Sequence, residues 1–214
     1  RNRLPGVIPL RIMGRKLSPF DPFATAMALV GRRAGCYFSP GFNPPLRSPI
    51  PFAFTIHDLV HLRVPQESSA IRRLYYRSVV GPAARRACRI LTVSEYSRQD
   101  ILEWARLPAD AVCVVGNGVS PVFTPSPFGR SSRKPYLLHV GRRAGHKNIG
   151  TLLHSFAISR ARRDVELAFT GEPDGPTLTL IDRHGHSGRV RFSGLVDDAA
   201  LARLYQESVG LVFP

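Results

Sequence analysis

The chain has 214 residues, with 30 Lys+Arg against 15 Asp+Glu, a formal net charge of +15 and a pI of about 11.1. Hydrophobic residues make up 43%, which excludes a disordered basic tail and leaves room for one large domain or two small ones. A balance of this sign calls for an anionic partner, whether nucleic acid, a membrane surface or a phosphorylated substrate, and composition does not choose among them.

In chain order, residues 1–19 show no clear period. Residues 24–30 read as a short helix and 36–39 as a buried strand stopped by Pro40-Gly41. After a proline-rich loop, 52–56 form a second apolar strand that runs straight into His57-Asp58. Residues 68–90 read as a helix interrupted at Pro82. Ile71, Leu74, Tyr75 and Val79 share its apolar face; Arg72, Arg73 and Arg77 lie off that face, and Arg85, Arg86 and Arg89 extend the basic series. A strand over 90–93 precedes a helix in which Ser97 is the expected N-cap and Asp100 the third helical residue. Residues 112–115 form a strand closed by Gly116-Asn117-Gly118, and 119–135 read as a linker rich in Pro, Ser, Gly and basic residues. Beyond it the pattern becomes regular. Strands are expected at 136–140, 165–170, 189–193 and 209–213, and helices at 148–159, 177–183 and 199–207.

Short apolar strands alternating with helices predict an α/β fold with parallel sheets covered on both faces. The organisation expected is a partial domain over 1–118, the linker, and a second partial domain over 136–214. Charge divides the same way. Residues 1–134 hold 20 Lys+Arg and 7 Asp+Glu, and 135–214 hold 10 and 8. Cys36, Cys88 and Cys113 make neither a zinc spacing nor a disulfide framework, so a reducing, cytoplasmic setting is expected. Lacking an initiator Met and stopping at the end of a strand, the chain is expected to be the middle of a longer protein.

In parallel sheets ligands bind beyond the carboxyl ends of strands. There Gly141-Arg142-Arg143-Ala144-Gly145-His146-Lys147-Asn148 joins a strand to a helix. Glycine permits close backbone approach, a helix start offers free N–H groups, and Arg and Lys add charge-assisted bonds to phosphate oxygens. The loop reads as a diphosphate clamp or as an ordinary basic loop, and it matches neither the P-loop nor the dinucleotide fingerprint. His57-Asp58 could hold a sugar hydroxyl or move a proton, or could merely cap a strand. Gly171-Glu172-Pro173-Asp174 reads as a turn in which Gly171 can lie beside a ligand. The arginine-rich helix is either a solvated face or a dock for anionic lipid. No helix-turn-helix, zinc-finger or RNP-type motif speaks for nucleic acid.

The ordered set Thr55-Ile56-His57-Asp58-Leu59, Leu91-Thr92-Val93-Ser94-Glu95-Tyr96-Ser97, Asn117-Gly118-Val119 with Phe123, Val140-Gly141-Arg142 with His146-Lys147-Asn148, and Val190-Arg191-Phe192-Ser193-Gly194 with Leu201 and Leu204-Tyr205 resembles the retaining glycosyltransferases of family 4, or group 1. That resemblance implies a GT-B architecture of two Rossmann-like domains, both incomplete here. It implies transfer of a sugar, with retention, from a nucleotide diphosphate sugar to an acceptor hydroxyl on a glycan or lipid-linked glycan. The His-Asp and His-Lys-Asn variants look most like bacterial mannosyltransferases of surface-polysaccharide assembly, making GDP-mannose the first donor to test. Arg142 and Lys147 would hold the diphosphate beside Gly141 and Gly171. His57 would contact the transferred sugar, with Asp58 orienting it or the acceptor. No cofactor or metal is implied. The basic helix (Arg72, Arg73, Arg77, Arg85, Arg86, Arg89) would make the protein peripheral on the inner face of the bacterial cytoplasmic membrane. The family's Glu-x7-Glu motif would follow Pro214, so this piece alone is expected to transfer little sugar. The rival readings are a non-enzymatic nucleic-acid-binding module and an inactive gene remnant.

Overall fold

Strand-forming residues at the expected places build two separate parallel sheets in a computed structural model that describes residues 6–10, 20–125, 134–143, 145–159, 164–185 and 188–214. Residues 126–133 of the predicted linker, and Ala144 of the clamp loop, lie outside these. Contacts divide the chain into two compact units, Arg1–Asn117 and Gly118–Pro214.

The N-terminal unit opens with α1 (Asp21–Leu29), which starts ahead of the predicted helix because Pro22 suits the first turn. Then come β1 (Tyr37–Ser39), β2 (Phe52–Thr55), β3 (Arg89–Thr92) and β4 (Val112–Val114), paired in that order and all parallel. Burial on both faces explains why β2 is apolar along its length, with Phe52, Phe54 and Thr55 all buried. The crossover from β2 to β3 is helical: α2 (Val60–Arg63), α3 (Ala70–Tyr75), a π-helical turn over Tyr76–Val80, and α4 (Gly81–Ala84). Pro82 thus sits in the first turn of α4, and the wide turn before it absorbs the missing N–H.

Two expectations are corrected here. Tyr76 and Val80 face the core, whereas Ile71 and Leu74 are 78% and 55% exposed, because the π turn rotates the helix away from a simple 3.6 period. The next helix, α5 (Glu95–Ala105), is capped by Ser94 rather than Ser97: the Ser94 hydroxyl accepts from the Ser97 amide at 3.2 Å, and Ser97 is buried inside the first turn. The core gathers Phe54, Ile56, Leu59, Val80, Ile90 and Ile101.

The C-terminal unit contains β5 (Tyr136–His139), α6 (Ile149–Ile158), β6 (Glu166–Phe169), α7 (Gly175–Arg183), β7 (Val190–Phe192), α8 (Asp198–Glu207) and β8 (Gly210–Leu211). Its sheet order is β7-β6-β5-β8, again wholly parallel. Asp174 and Asp197 cap α7 and α8 by accepting from Thr177 N (2.9 Å) and Ala200 N (2.7 Å). Leu153, Phe156, Leu167, Phe169 and Ile181 form the core between β6 and the helices α6 and α7. The described end of the linker packs on this unit: Phe123 meets Tyr205 edge-on, and Gln206 donates to the Thr124 carbonyl at 2.8 Å.

Candidate functional site

The carboxyl end of the second sheet holds the Gly141, Arg142, Lys147 and Gly171 positions singled out from the sequence. Gly141 ends β5 with φ of 110°, a conformation that favours glycine, and its N–H donates to the Thr170 hydroxyl at the end of β6 (3.1 Å). Gly171 follows with φ of 81° and donates its N–H to the Gly194 carbonyl after β7 at 2.8 Å. Three strand-end loops are therefore tied together by two glycine N–H groups, one on the Thr170 hydroxyl and one on the Gly194 carbonyl, at positions whose positive φ favours a residue without Cβ.

The two adjacent arginines take different roles. Arg142 is exposed on the loop. Arg143 turns inward, its side chain only 8% exposed. It donates to the Asp174 carboxylate (2.6 Å), to the Thr170 carbonyl (2.8 Å) and to the Glu172 carbonyl. Its guanidinium also lies over the Phe192 and Phe169 rings, at 5.2 and 5.8 Å. Burial pushes the Asp174 carboxyl up, but the bonds from Arg143 and Thr177 outweigh it and hold the group below its usual range. Arg143 is thus the clamp between the Gly141 and Gly171 loops. Sequence reasoning passed it over in favour of its neighbour.

Lys147 is half-buried just before α6, with its ammonium 4.3 Å over the Phe213 ring. Asn148, left-handed at φ of 49°, is the N-cap, and its own side chain makes no capping bond to the first N–H groups of α6. Behind Phe213, stacked at 6.0 Å, lies His139, which is fully buried and has neither ring nitrogen hydrogen-bonded among the described residues. Burial, then the nearby Arg143 and Lys147 charges, push its pKa below the ordinary value. A ladder of rings, Phe213, His139, Phe169 and Phe192, hence runs across the strand ends, with cations over its outer members. His139 was not singled out from sequence, since a histidine inside an apolar strand carries no motif.

In the N-terminal unit, His57 and Asp58 are exposed at the end of β2. The His57 carbonyl accepts from the Thr92 hydroxyl at 3.4 Å, and the Asp58 carboxylate accepts from Val60 N at 3.0 Å. The Asp58 carboxylate therefore braces the turn into α2, while the Thr92 hydroxyl holds the His57 backbone. The basic series divides as well. Arg72, Arg73 and Arg86 donate to Glu67 O, Ser68 Oγ and Leu46 O at 2.6 to 2.7 Å, and Arg89 pairs with Asp110 at 3.4 Å. Among the described residues no three His, Cys, Asp or Glu side chains gather as a metal site, and no helix is long and apolar enough to cross a membrane.

Comparison with known proteins relates part of this chain to a family of transferases. Residues 32–123 match the model of Glycosyltransferase Family 4. Across 220 residues the chain is 27% identical to O-antigen chain mannosyltransferase B of Escherichia coli, covering 96% of this chain and 57% of that protein. Over 137 residues it is 34% identical to the MMP alpha-(1->4)-mannosyltransferase of Mycolicibacterium hassiacum, covering 63% of this chain and 33% of that one. The chain thus spans only part of the length of these curated relatives. Among solved structures, sucrose-phosphate synthase from Thermosynechococcus elongatus matches with a TM-score of 0.72 at 18% identity, over 90% of this chain and 53% of that one. Anabaena HepE in complex with UDP and glucose matches with a TM-score of 0.66 at 18% identity, over 92% and 50%. These likenesses show the fold, which is GT-B. Family match, curated relatives and fold agree with the motif order read from His57 to Asn148: residues 32–123 match the model of Glycosyltransferase Family 4, and the chain as a whole is similar to mannosyltransferases.

Proposed function

We propose that the protein is a retaining glycosyltransferase that moves a sugar, with mannose the first to test, from a nucleotide diphosphate sugar to an acceptor hydroxyl in surface-polysaccharide or lipid-linked glycan synthesis. The observation that carries this reading is Lys147, a half-buried cation beside the uncapped start of α6 and the open backbone of Gly141. A diphosphate placed there meets N–H donors and an ammonium together, and negative charge growing on it as the sugar leaves is stabilised by groups already in position. Arg142, on the same loop, adds a second cation from the exposed side. Gly171 keeps the neighbouring loop free of a side chain. His57 is the group we assign to the transferred sugar, its carbonyl held by the Thr92 hydroxyl, with Asp58 orienting the sugar or the acceptor. The names of the two mannosyltransferase relatives support the sugar, and the UDP and glucose in the HepE complex support the donor class. The arginines of the α3–α4 region, with Ile71 and Leu74 exposed beside them, support a peripheral position on an anionic membrane.

The test is calorimetric titration of the chain with GDP, UDP and GDP-mannose. Saturable binding is expected, and Lys147→Ala should weaken it by about tenfold or more, the scale of losing one charge-assisted contact to phosphate, with the thermal midpoint little changed. Equal affinity in wild type and variant removes Lys147 from the site. Salt-sensitive binding to arbitrary duplex DNA, with no affinity for any of the three nucleotides, would instead favour the nucleic-acid reading.

A further inference from the structure

We propose that the N-terminal unit holds a second anion site, a pocket for a phosphate group formed by Arg73, Arg77 and Arg85. The three arginines line one cavity of about 220 Å³, together with Tyr76, Gly81 and Trp104. Residues 73, 77, 81 and 85 are spaced four apart. In a plain α-helix four residues overshoot one turn by about 40°, so such a stripe drifts around the helix. Here the π-helical turn over Tyr76–Val80, wider than an α turn, takes back that drift and keeps the stripe on one cavity.

Gly81 supplies the opening. A Cβ at this position would stand 3.3 Å from the Tyr76 carbonyl and 3.7 Å from the Trp104 ring, so the residue without a side chain leaves the indole exposed as the floor. Two arginines are oriented by neutral partners: Arg73 donates to Ser68 Oγ at 2.7 Å and Arg85 to the Ala105 carbonyl at 3.4 Å. Arg77 makes no hydrogen bond or ion pair among the described residues, and none of the three guanidiniums is ion-paired there. No carboxylate lines the cavity. Three like charges around one small concavity repel each other unless an anion joins them. Guanidinium forks match the oxygens of phosphate, and three of them suit a doubly charged group better than a carboxylate. The aromatic floor gives the organic part of a phosphate ester a surface to lie on.

The chemistry fits two sources, the headgroup of an anionic phospholipid and a soluble phosphate ester or diphosphate. This site is in the other unit from Lys147 and does not depend on the nucleotide-sugar reading. Trp104 is the only tryptophan of the chain and reports the pocket directly. The experiment is a fluorescence titration of the whole chain with inorganic pyrophosphate and with phosphatidylglycerol vesicles, in about 0.15 M salt, where charges beyond about 8 Å are screened. Saturable change is expected in wild type and in Lys147→Ala. Arg77→Gln should lose about tenfold or more in affinity while keeping its thermal midpoint, and Arg77→Lys should fall between. Competition between vesicles and pyrophosphate assigns the site to lipid headgroups; pyrophosphate binding without vesicle competition assigns it to soluble phosphates. Either result supports the pocket. A response lost in Lys147→Ala but kept in Arg77→Gln overturns it, as does no saturable response of wild type to either probe.

Discussion

A single buried ring shows how little charge this fold tolerates at its strand ends. Among the described residues His139 has no hydrogen-bond partner for either ring nitrogen, and its pKa is held below the usual 6.5 by burial and by Arg143 and Lys147. Below about pH 6.5 the unfolded chain binds a proton at this ring that the folded unit does not, so the stabilising contribution is complete above that pH and falls as pH falls. His139→Phe keeps the ring ladder and removes both the orphaned nitrogens and the titration. Thermal unfolding at pH 7.5 and pH 5 should show a smaller acid loss in the variant than in wild type; an equal loss would count against the assignment. The same scale explains what sequence did not reveal. Arg142 and Arg143 are identical letters on one loop, and the left-handed turn at Gly141 decides which of them points inward. The positions of Lys147 and the glycines at strand ends were legible because a strand-to-helix junction shows in residue type.

At the level of elements, strands were placed within a residue or two because parallel strands buried on both faces announce themselves as short apolar runs. The helical crossover was not, since a π turn has no period of its own in sequence and moves Ile71 and Leu74 out of the core. Ser94 and Ser97 compete as caps, and the extended backbone at Ser94 settles the choice. The loops after β5 and β6 behave as one element because Arg143 bonds across them to Asp174, Thr170 and Glu172. Arg143→Gln should cost about 2–3 kcal/mol, less than a fully buried broken pair because Asp174 is 39% exposed. In chemical denaturation this loss should be smaller, though not absent, when the change is made on an Asp174→Asn background, since the ion pair is already broken while the bonds to the Thr170 and Glu172 carbonyls remain to be lost. Additive losses would show that the two side chains are not coupled.

The whole molecule joins two units with opposite weaknesses in pH. Tyr37, Tyr75 and Tyr76 all lie in the N-terminal unit, and burial raises each of their pKa values, Tyr76 to about 12. Between about pH 10 and 12 the unfolded chain loses protons that Tyr76 keeps when folded, so this contribution is full below pH 10 and declines as pH rises. The C-terminal unit has its sensitive group, His139, on the acid side. Trp104 emission reports the first unit alone, whereas circular dichroism sees both. An alkaline scan should move the emission first, and an acid scan the dichroism first; emission leading in both directions would refute the division. The sheet orders bear on a different matter, the order of synthesis. In the first sheet every strand pairs with its neighbours in sequence, so β1 to β4 can assemble as they leave the ribosome. In the second, β5 needs β8, made some seventy residues later. Until Gly210 and Leu211 emerge, one side of β5 stays an open apolar edge, and that interval is when the nascent chain depends most on a chaperone.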